Sequence, residues 1–143
     1  MDLLLTDAPT ASDEAVVSNG LDDFNLAAAG VQDRRPLAVL IREDGETVGG
    51  LTGRTSLGLW FVDLLYLPEK LRGTGLGSRI LSEAEAEARR RGCLSGVVYT
   101  IQFQAPEFYA RHGWTEFGRT PIDADRSRVF FRKDLRESVW GGG

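Results

Sequence analysis

A mixed α/β fold is predicted, with a mostly antiparallel central sheet, one parallel strand pair and flanking helices. Three observations predict it. Glu43-Asp44-Gly45-Glu46 lies between the apolar runs Leu37–Arg42 and Thr47–Thr52, and Asp-Gly in that setting is a strong hairpin signal. The apolar stretch Leu59–Leu67 leads through the glycine-rich run Arg72-Gly73-Thr74-Gly75-Leu76-Gly77 into an amphipathic segment that reaches Arg91, a strand–loop–helix pattern. Gly96–Thr100 then reads as a strand reached by a helical crossover, and therefore parallel to the one before the loop.

Taken in order, the chain begins with a short apolar segment, Leu3–Leu5, followed by Thr10 and Ser12, either of which can cap a helix. In that helix Val17, Leu21, Phe24 and Ala28 keep helical spacing, Gly20 interrupts, and Gly30 marks the end. The hairpin follows. After a turn at Ser56–Gly58 the third strand, Trp60-Phe61-Val62-Asp63-Leu64-Leu65-Tyr66-Leu67, is apolar at both alternating sets of positions, which predicts a central strand covered on both faces. Leu76, Ile80, Leu81, Ala84 and Ala88 form the apolar stripe of the next helix, which Gly92 stops. Pro106 opens a short helix ended by Gly113, and Trp114–Gly118 and Arg128–Lys133 close the sheet. Gly141-Gly142-Gly143 reads as a frayed tail, and the 143 residues fit one domain, 1–143, with a core over 36–133.

Composition narrows the class. At 42% hydrophobic and 27% charged the sequence is ordinary for a water-soluble globular protein, and no apolar run is long enough to span a bilayer. The first residues carry Asp2 and Asp7 where a signal peptide needs bases, so a cytoplasmic location is expected. A single cysteine, Cys93, cannot close an internal disulfide or build a multi-cysteine metal centre, and no metal is expected. The net charge of −4 gives no general attraction to nucleic acid or anionic lipid, so neither is expected as a partner. Arg89-Arg90-Arg91 is the densest basic cluster, but Glu85 and Glu87 stand four residues before Arg89 and Arg91, the arrangement of a solvated helix end.

The glycine-rich run carries most of the functional signal. Backbone N–H groups converging at a helix N-terminus form an anion site, which points to a phosphate-bearing ligand. The run lacks the Gly-Lys-Ser/Thr of a nucleotide-hydrolysing P-loop, and it follows an antiparallel hairpin rather than opening an early βαβ unit, which argues against a nicotinamide-binding Rossmann domain. Ser78-Arg79 at the helix start holds no carboxylate to repel an anion. A diphosphate other than ATP or NAD remains. Here the sequence resembles the GNAT superfamily of acyl-CoA-dependent N-acetyltransferases: Arg72, Gly75 and Gly77 match its Arg/Gln-x-x-Gly-x-Gly/Ala motif, and Phe108-Tyr109-Ala110-Arg111-His112-Gly113-Trp114 matches its aromatic-Tyr pattern before Gly-Phe or Gly-Trp. With the order of elements, the resemblance covers roughly residues 36–133.

The resemblance implies a splayed parallel strand pair, acetyl-CoA as co-substrate, and site residues position by position. Backbone groups of Arg72, Gly73, Thr74, Gly75, Leu76, Gly77 and Ser78 would hold the CoA pyrophosphate, and Leu65, Tyr66 and Leu67 would pair with pantetheine amides, with the Leu67 N–H suited to the oxyanion. Gln102 stands where many members have a pantetheine-contacting asparagine. The first helix, with Phe24, corresponds to the variable helix that faces substrate. Tyr109 is the candidate general acid for the departing thiolate, a core tyrosine being the competing reading. Asp63, the sole acid inside the apolar third strand, is the candidate base or anchor for a cationic amine, because a buried carboxylate needs a reason; the alternative is a structural carboxylate satisfied by an arginine or backbone N–H. His112 is read as a satisfier of helix-end carbonyls, Cys93 as a small buried residue, and Trp60 and Trp114 as core. Asp123, in the Thr120–Ser127 loop, either lines the acceptor site or belongs to an ordinary polar turn. Trp140 is open to two readings, an oligomer contact in a homodimer or a disordered residue.

The expected activity is acetyl transfer from acetyl-CoA to a primary amine, with a small-molecule acceptor preferred to a protein lysine or N-terminus. A non-catalytic acyl-CoA-binding module would keep the glycine loop but have no use for Tyr109 or Asp63. Acetylation of aminoacyl-tRNA would require a basic patch.

Overall fold

The computed structural model describes residues 1–101 and 106–136. Gln102, Trp140 and Gly141-Gly142-Gly143 lie outside them. The chain divides into two units, Met1–Arg34 and Arg35–Gly143, described in turn.

The first unit is built on helix α1, Ala11–Ala29. Thr10, not Ser12, is its cap. The Thr10 hydroxyl accepts from the Asp13 N–H at 3.0 Å while the Asp13 carboxylate accepts from the Thr10 N–H at 3.0 Å, a reciprocal capping box. Gly30 ends the helix at φ 73°, its N–H reaching the Leu26 carbonyl at 2.8 Å, a conformation that suits glycine. Arg34 returns to pair with Asp22 at 2.8 Å and holds that carboxyl below the usual aspartate range. Val17, Leu21 and Phe24 stand exposed along the helix.

The second unit is a six-stranded sheet in the order β1-β2-β3-β4-β6-β5. Strands β1 (Arg35–Glu43) and β2 (Glu46–Ser56) form the hairpin around Asp44-Gly45, and β3 (Leu59–Tyr66) adds antiparallel to β2. A 3₁₀ turn, Glu69–Leu71, and the glycine run lead into α2 (Leu76–Arg90), which crosses to β4 (Ser95–Ile101), parallel to β3. Helix α3 (Pro106–Arg111), β5 (Thr115–Pro121) and β6 (Ser127–Asp134) complete the unit, with β6 set antiparallel between β4 and β5. The mixed, mostly antiparallel sheet with one parallel pair is therefore the architecture found.

The core lies on one face of this sheet. Ile80, Leu81, Ala84 and Ala88 of α2 are buried there with Trp60, Val62, Val98 and Phe131, and the Trp60 and Trp114 rings sit 5.5 Å apart. Gly96 lies between them: a Cβ on it would come within 2.9 Å of Trp114 and 3.0 Å of Trp60. The other face is open, with Leu64, Tyr66 and Tyr99 exposed, so the expectation that β3 is covered on both faces does not hold within this unit. Arg89 and Arg91 pair with Glu85 and Glu87 at 3.2 and 2.8 Å. Arg91 also donates to the Pro36 carbonyl and the Thr55 hydroxyl at 3.0 and 3.1 Å, so it fastens the end of α2 to the hairpin.

Candidate active site

The site grows out of an irregularity in β3. Thr52 pairs with Leu64 but Gly53 pairs with Val62, leaving Asp63 as the extra residue of a β-bulge. The bulge reverses side-chain parity along the strand. Before it, Trp60 and Val62 face the core; beyond it, Leu65 and Leu67 do. Gly53 is required opposite the bulge, since a Cβ there would fall 2.0 Å from the Phe61 carbonyl oxygen. The parallel pairing of β3 with β4 runs only from Leu59↔Ser95 to Phe61↔Val97, although both strands continue to Tyr66 and Ile101. Past that point they part, so the backbone of Leu65, Tyr66 and Leu67 on that side is not committed to the β4 ladder.

The glycine run lies just beyond. Gly73 and Gly75 take φ of 76° and 85°, which turns the chain sharply into α2. The Arg72 guanidinium donates from Nε to the Leu67 carbonyl at 2.9 Å and so ties the loop to the end of β3. Thr74 donates its hydroxyl to the Leu71 carbonyl at 2.7 Å, and its oxygen receives the Leu76 N–H at 3.4 Å. Leu76, Gly77 and Ser78 begin α2, where N–H groups have no carbonyl a turn earlier to serve, and no acidic residue stands in that turn. With the Leu76 N–H turned to Thr74, the dipole and the N–H groups of Gly77 and Ser78 together suit an anion. Gly77 also permits close packing: a Cβ on it would meet Leu67 at 3.2 Å and the Phe108 ring at 3.4 Å.

Through Phe108, α3 is brought against the start of α2. Tyr109, 6% exposed, packs with its ring 5.8 Å from Trp114 and 5.9 Å from Phe131. Burial pushes its phenol up to about 12, so the group stays protonated at neutral pH, the form a proton donor needs. His112 places Nδ1 2.7 Å from the Phe108 carbonyl, as expected of a helix-end satisfier, and Nε2 2.8 Å from the Ser78 hydroxyl. That second contact was not legible in the sequence, where the two residues stand thirty-four positions apart.

Asp63 departs from expectation. Its side chain is 49% exposed and pairs with Arg54 at 3.1 Å, so it is not a buried carboxylate; the bulge turns it to the open face, where water and a cation satisfy it. Arg54 also lies over the Phe61 ring at 4.1 Å. Arg54 was missed because its meeting with Asp63 depends on the β2–β3 register, which the bulge resets. Asp123 is an organiser of its own turn: it accepts from the N–H groups of Asp125 and Arg126 at 3.0 and 2.9 Å and pairs with the Arg126 guanidinium, which holds it below the usual range. Phe24 stands on α1 in the first unit, 67% exposed. Cys93 is buried, as are Trp60 and Trp114.

The candidate site is thus a strand pair that parts beside a helix start suited to an anion, with the buried Tyr109 on the short helix α3, and proteins similar to this chain place it in a class, the acetyltransferases. The chain matches the acetyltransferase (GNAT) family over residues 4–114 and belongs to that family. It is 37% identical over 135 residues to an acetyltransferase of Agrobacterium fabrum, a match covering 93% of this chain and 98% of the relative. It is 45% identical over 89 residues to the blasticidin-S acetyltransferase of Streptomyces morookaense, covering 59% of this chain and 65% of that one. The crystal structure of an acetyltransferase from Agrobacterium tumefaciens superposes with a TM-score of 0.83 at 36% identity, over 94% of this chain and 99% of the other. Among the described residues no helix is long and apolar enough to cross a membrane.

Proposed function

We propose that the protein transfers an acetyl group from acetyl-CoA to a primary amine of a small molecule, by direct attack within a ternary complex. The observation that carries this reading is the parting of β3 from β4 after Phe61 and Val97, with the Arg72–Gly77 turn at its end. The freed backbone of Leu65, Tyr66 and Leu67 pairs with the pantetheine arm, and the N–H groups from Gly73 to Ser78 take the pyrophosphate. The Leu67 N–H supports the oxyanion as the amine adds to the thioester carbonyl. Tyr109 gives its proton to the departing sulfur. Asp63, exposed on the bulge, receives the amine proton through water or holds a cationic acceptor, and the open face beside it, with Leu64, Tyr66 and Tyr99, supports the acceptor's body. Binding both reactants together makes the attack effectively unimolecular.

A small-molecule acceptor is supported by the likeness to the blasticidin-S enzyme and by the spending of the Arg89-Arg90-Arg91 cations on Glu85 and Glu87. The test is thiol release from acetyl-CoA by the purified protein, challenged with nucleoside and aminoglycoside amines, polyamines, amino acids and lysine peptides. Release that depends on one small amine class and collapses in Tyr109→Phe supports the reading. Release only with lysine peptides overturns the acceptor class, and thermal stabilisation by acetyl-CoA without release from any amine points instead to a binding module.

A further inference from the structure

The contact between Ser78 and His112 joins the two motifs and is unused by the reading above. Ser78 lies in the first turn of α2, among the donors assigned to the pyrophosphate; His112 follows α3 directly. The Phe108 carbonyl can only accept, so Nδ1, 2.7 Å away, carries a proton. In a neutral imidazole Nε2 is then an acceptor, and the Ser78 hydroxyl, 2.8 Å away, points its single proton at the ring. In that state the hydroxyl has none to offer a phosphate oxygen.

We propose that His112 is a positioning residue for the donor's pyrophosphate and acts by setting the direction of the Ser78 hydroxyl. The inference rests on the assignment of the Arg72–Ser78 turn to that pyrophosphate. When a diphosphate binds there, Nε2 takes one proton from solvent and becomes the donor to Ser78 Oγ, and the hydroxyl proton turns to a phosphate oxygen. One proton is gained by the ring, none is lost by Ser78, and no covalent bond between heavy atoms changes. The ring is held in place: the Phe108 ring packs against it, tilted by 40° with centroids 4.6 Å apart, and Phe108 itself packs on Gly77.

Charged groups of the neighbouring elements leave room for an added anion. From β6, Lys133 donates to the His112 carbonyl at 2.8 Å and pairs with Glu85 of α2 at 2.7 Å. Glu85 is shared with Arg89. Arg111 precedes His112 on α3, where Glu107 stands in the first turn, and Arg79 follows Ser78 on α2, where it faces Glu83 at 3.6 Å. Because the chain contains a single histidine, proton uptake in the histidine range has few other sources.

The test is calorimetric binding of dephospho-CoA to the whole protein, repeated from about pH 5.5 to 8 in buffers of differing ionisation enthalpy. Dephospho-CoA is chosen because the 3′-phosphate of CoA itself titrates near 6. The expected result is proton uptake on binding and an affinity that falls as pH rises, by at most about tenfold per unit for one proton. Both effects should vanish in His112→Asn, whose amide can keep the bond to the Phe108 carbonyl while losing the reach to Ser78, and should shrink in Ser78→Ala, which also serves if His112→Asn does not fold. Binding without proton uptake, or uptake that survives in His112→Asn, overturns the inference and leaves the donor site standing. Failure of the wild-type protein to bind dephospho-CoA and CoA alike overturns the donor site as well.

Discussion

Tyr109 shows how one environment does two jobs. Ring packing against Trp114 and Phe131 fixes its position, and the same burial raises its phenol to about 12. Tyr109→Phe should keep the packing and lose the proton, so kcat should fall by about a hundredfold or more while KM for acetyl-CoA changes little. A stability signature should accompany it. The folded state holds the phenol proton more tightly than the unfolded chain, so this group's contribution is whole below its unfolded value of 10 and is lost as pH rises towards about 12. The loss amounts to about 2–3 kcal/mol by linkage. In denaturation titrations between those limits, the stability of the wild type relative to Tyr109→Phe should fall by that amount, and a constant difference would contradict the raised phenol. At Gly53 a different constraint acts: Gly53→Ala would drive a Cβ against the Phe61 carbonyl, and destabilisation of about 1–3 kcal/mol or more is expected from denaturant midpoints. An unchanged midpoint would mean that the bulge adjusts freely.

Among the elements, α1 and β3 were read with different success. The start of α1 follows from side-chain chemistry close in sequence, since Thr10 and Asp13 satisfy each other. Thr10→Ala should therefore cost about 1 kcal/mol. Gly20 sits mid-helix with no atom within 4 Å of where a Cβ would be, so Gly20→Ala should stabilise by about 0.5–1 kcal/mol. Far-UV circular dichroism melts of the two variants check both signs, and a fall in stability for Gly20→Ala would show that the glycine has a packing or bending role. In β3 local chemistry was not enough. Its run of apolar residues signalled a central strand, which it is, but the alternation that buries Trp60 and Val62 changes phase at Asp63, and nothing local announces the extra residue.

At the level of the whole molecule, occupancy of the donor site should be visible as stability. If the N–H groups of the Arg72–Ser78 turn and the freed edge of β3 bind CoA only in the folded chain, a hundredfold excess over Kd should stabilise by about 2.7 kcal/mol, and the melting temperature should rise with the logarithm of ligand concentration. Pantetheine alone should do far less, because it leaves the turn empty. An equal shift with pantetheine would remove the turn from the binding site.

How much could be read in advance follows from the range of the interactions concerned. The hairpin at Asp44-Gly45, the apolar stripe of α2, the stop at Gly92, the pairing of Arg89 and Arg91 with Glu85 and Glu87, and the anion-suited glycine run all depend on residues within about one or two turns of each other, and the sequence by itself determined them. It also carried the two motifs that mark the family. Only the tertiary structure decided where the parallel pair separates, that Asp63 is exposed on a bulge beside Arg54, and that His112 meets Ser78. Each of these depends on the register between strands or on the contact of two helices distant in sequence, and a one-residue shift in either changes which side chains meet.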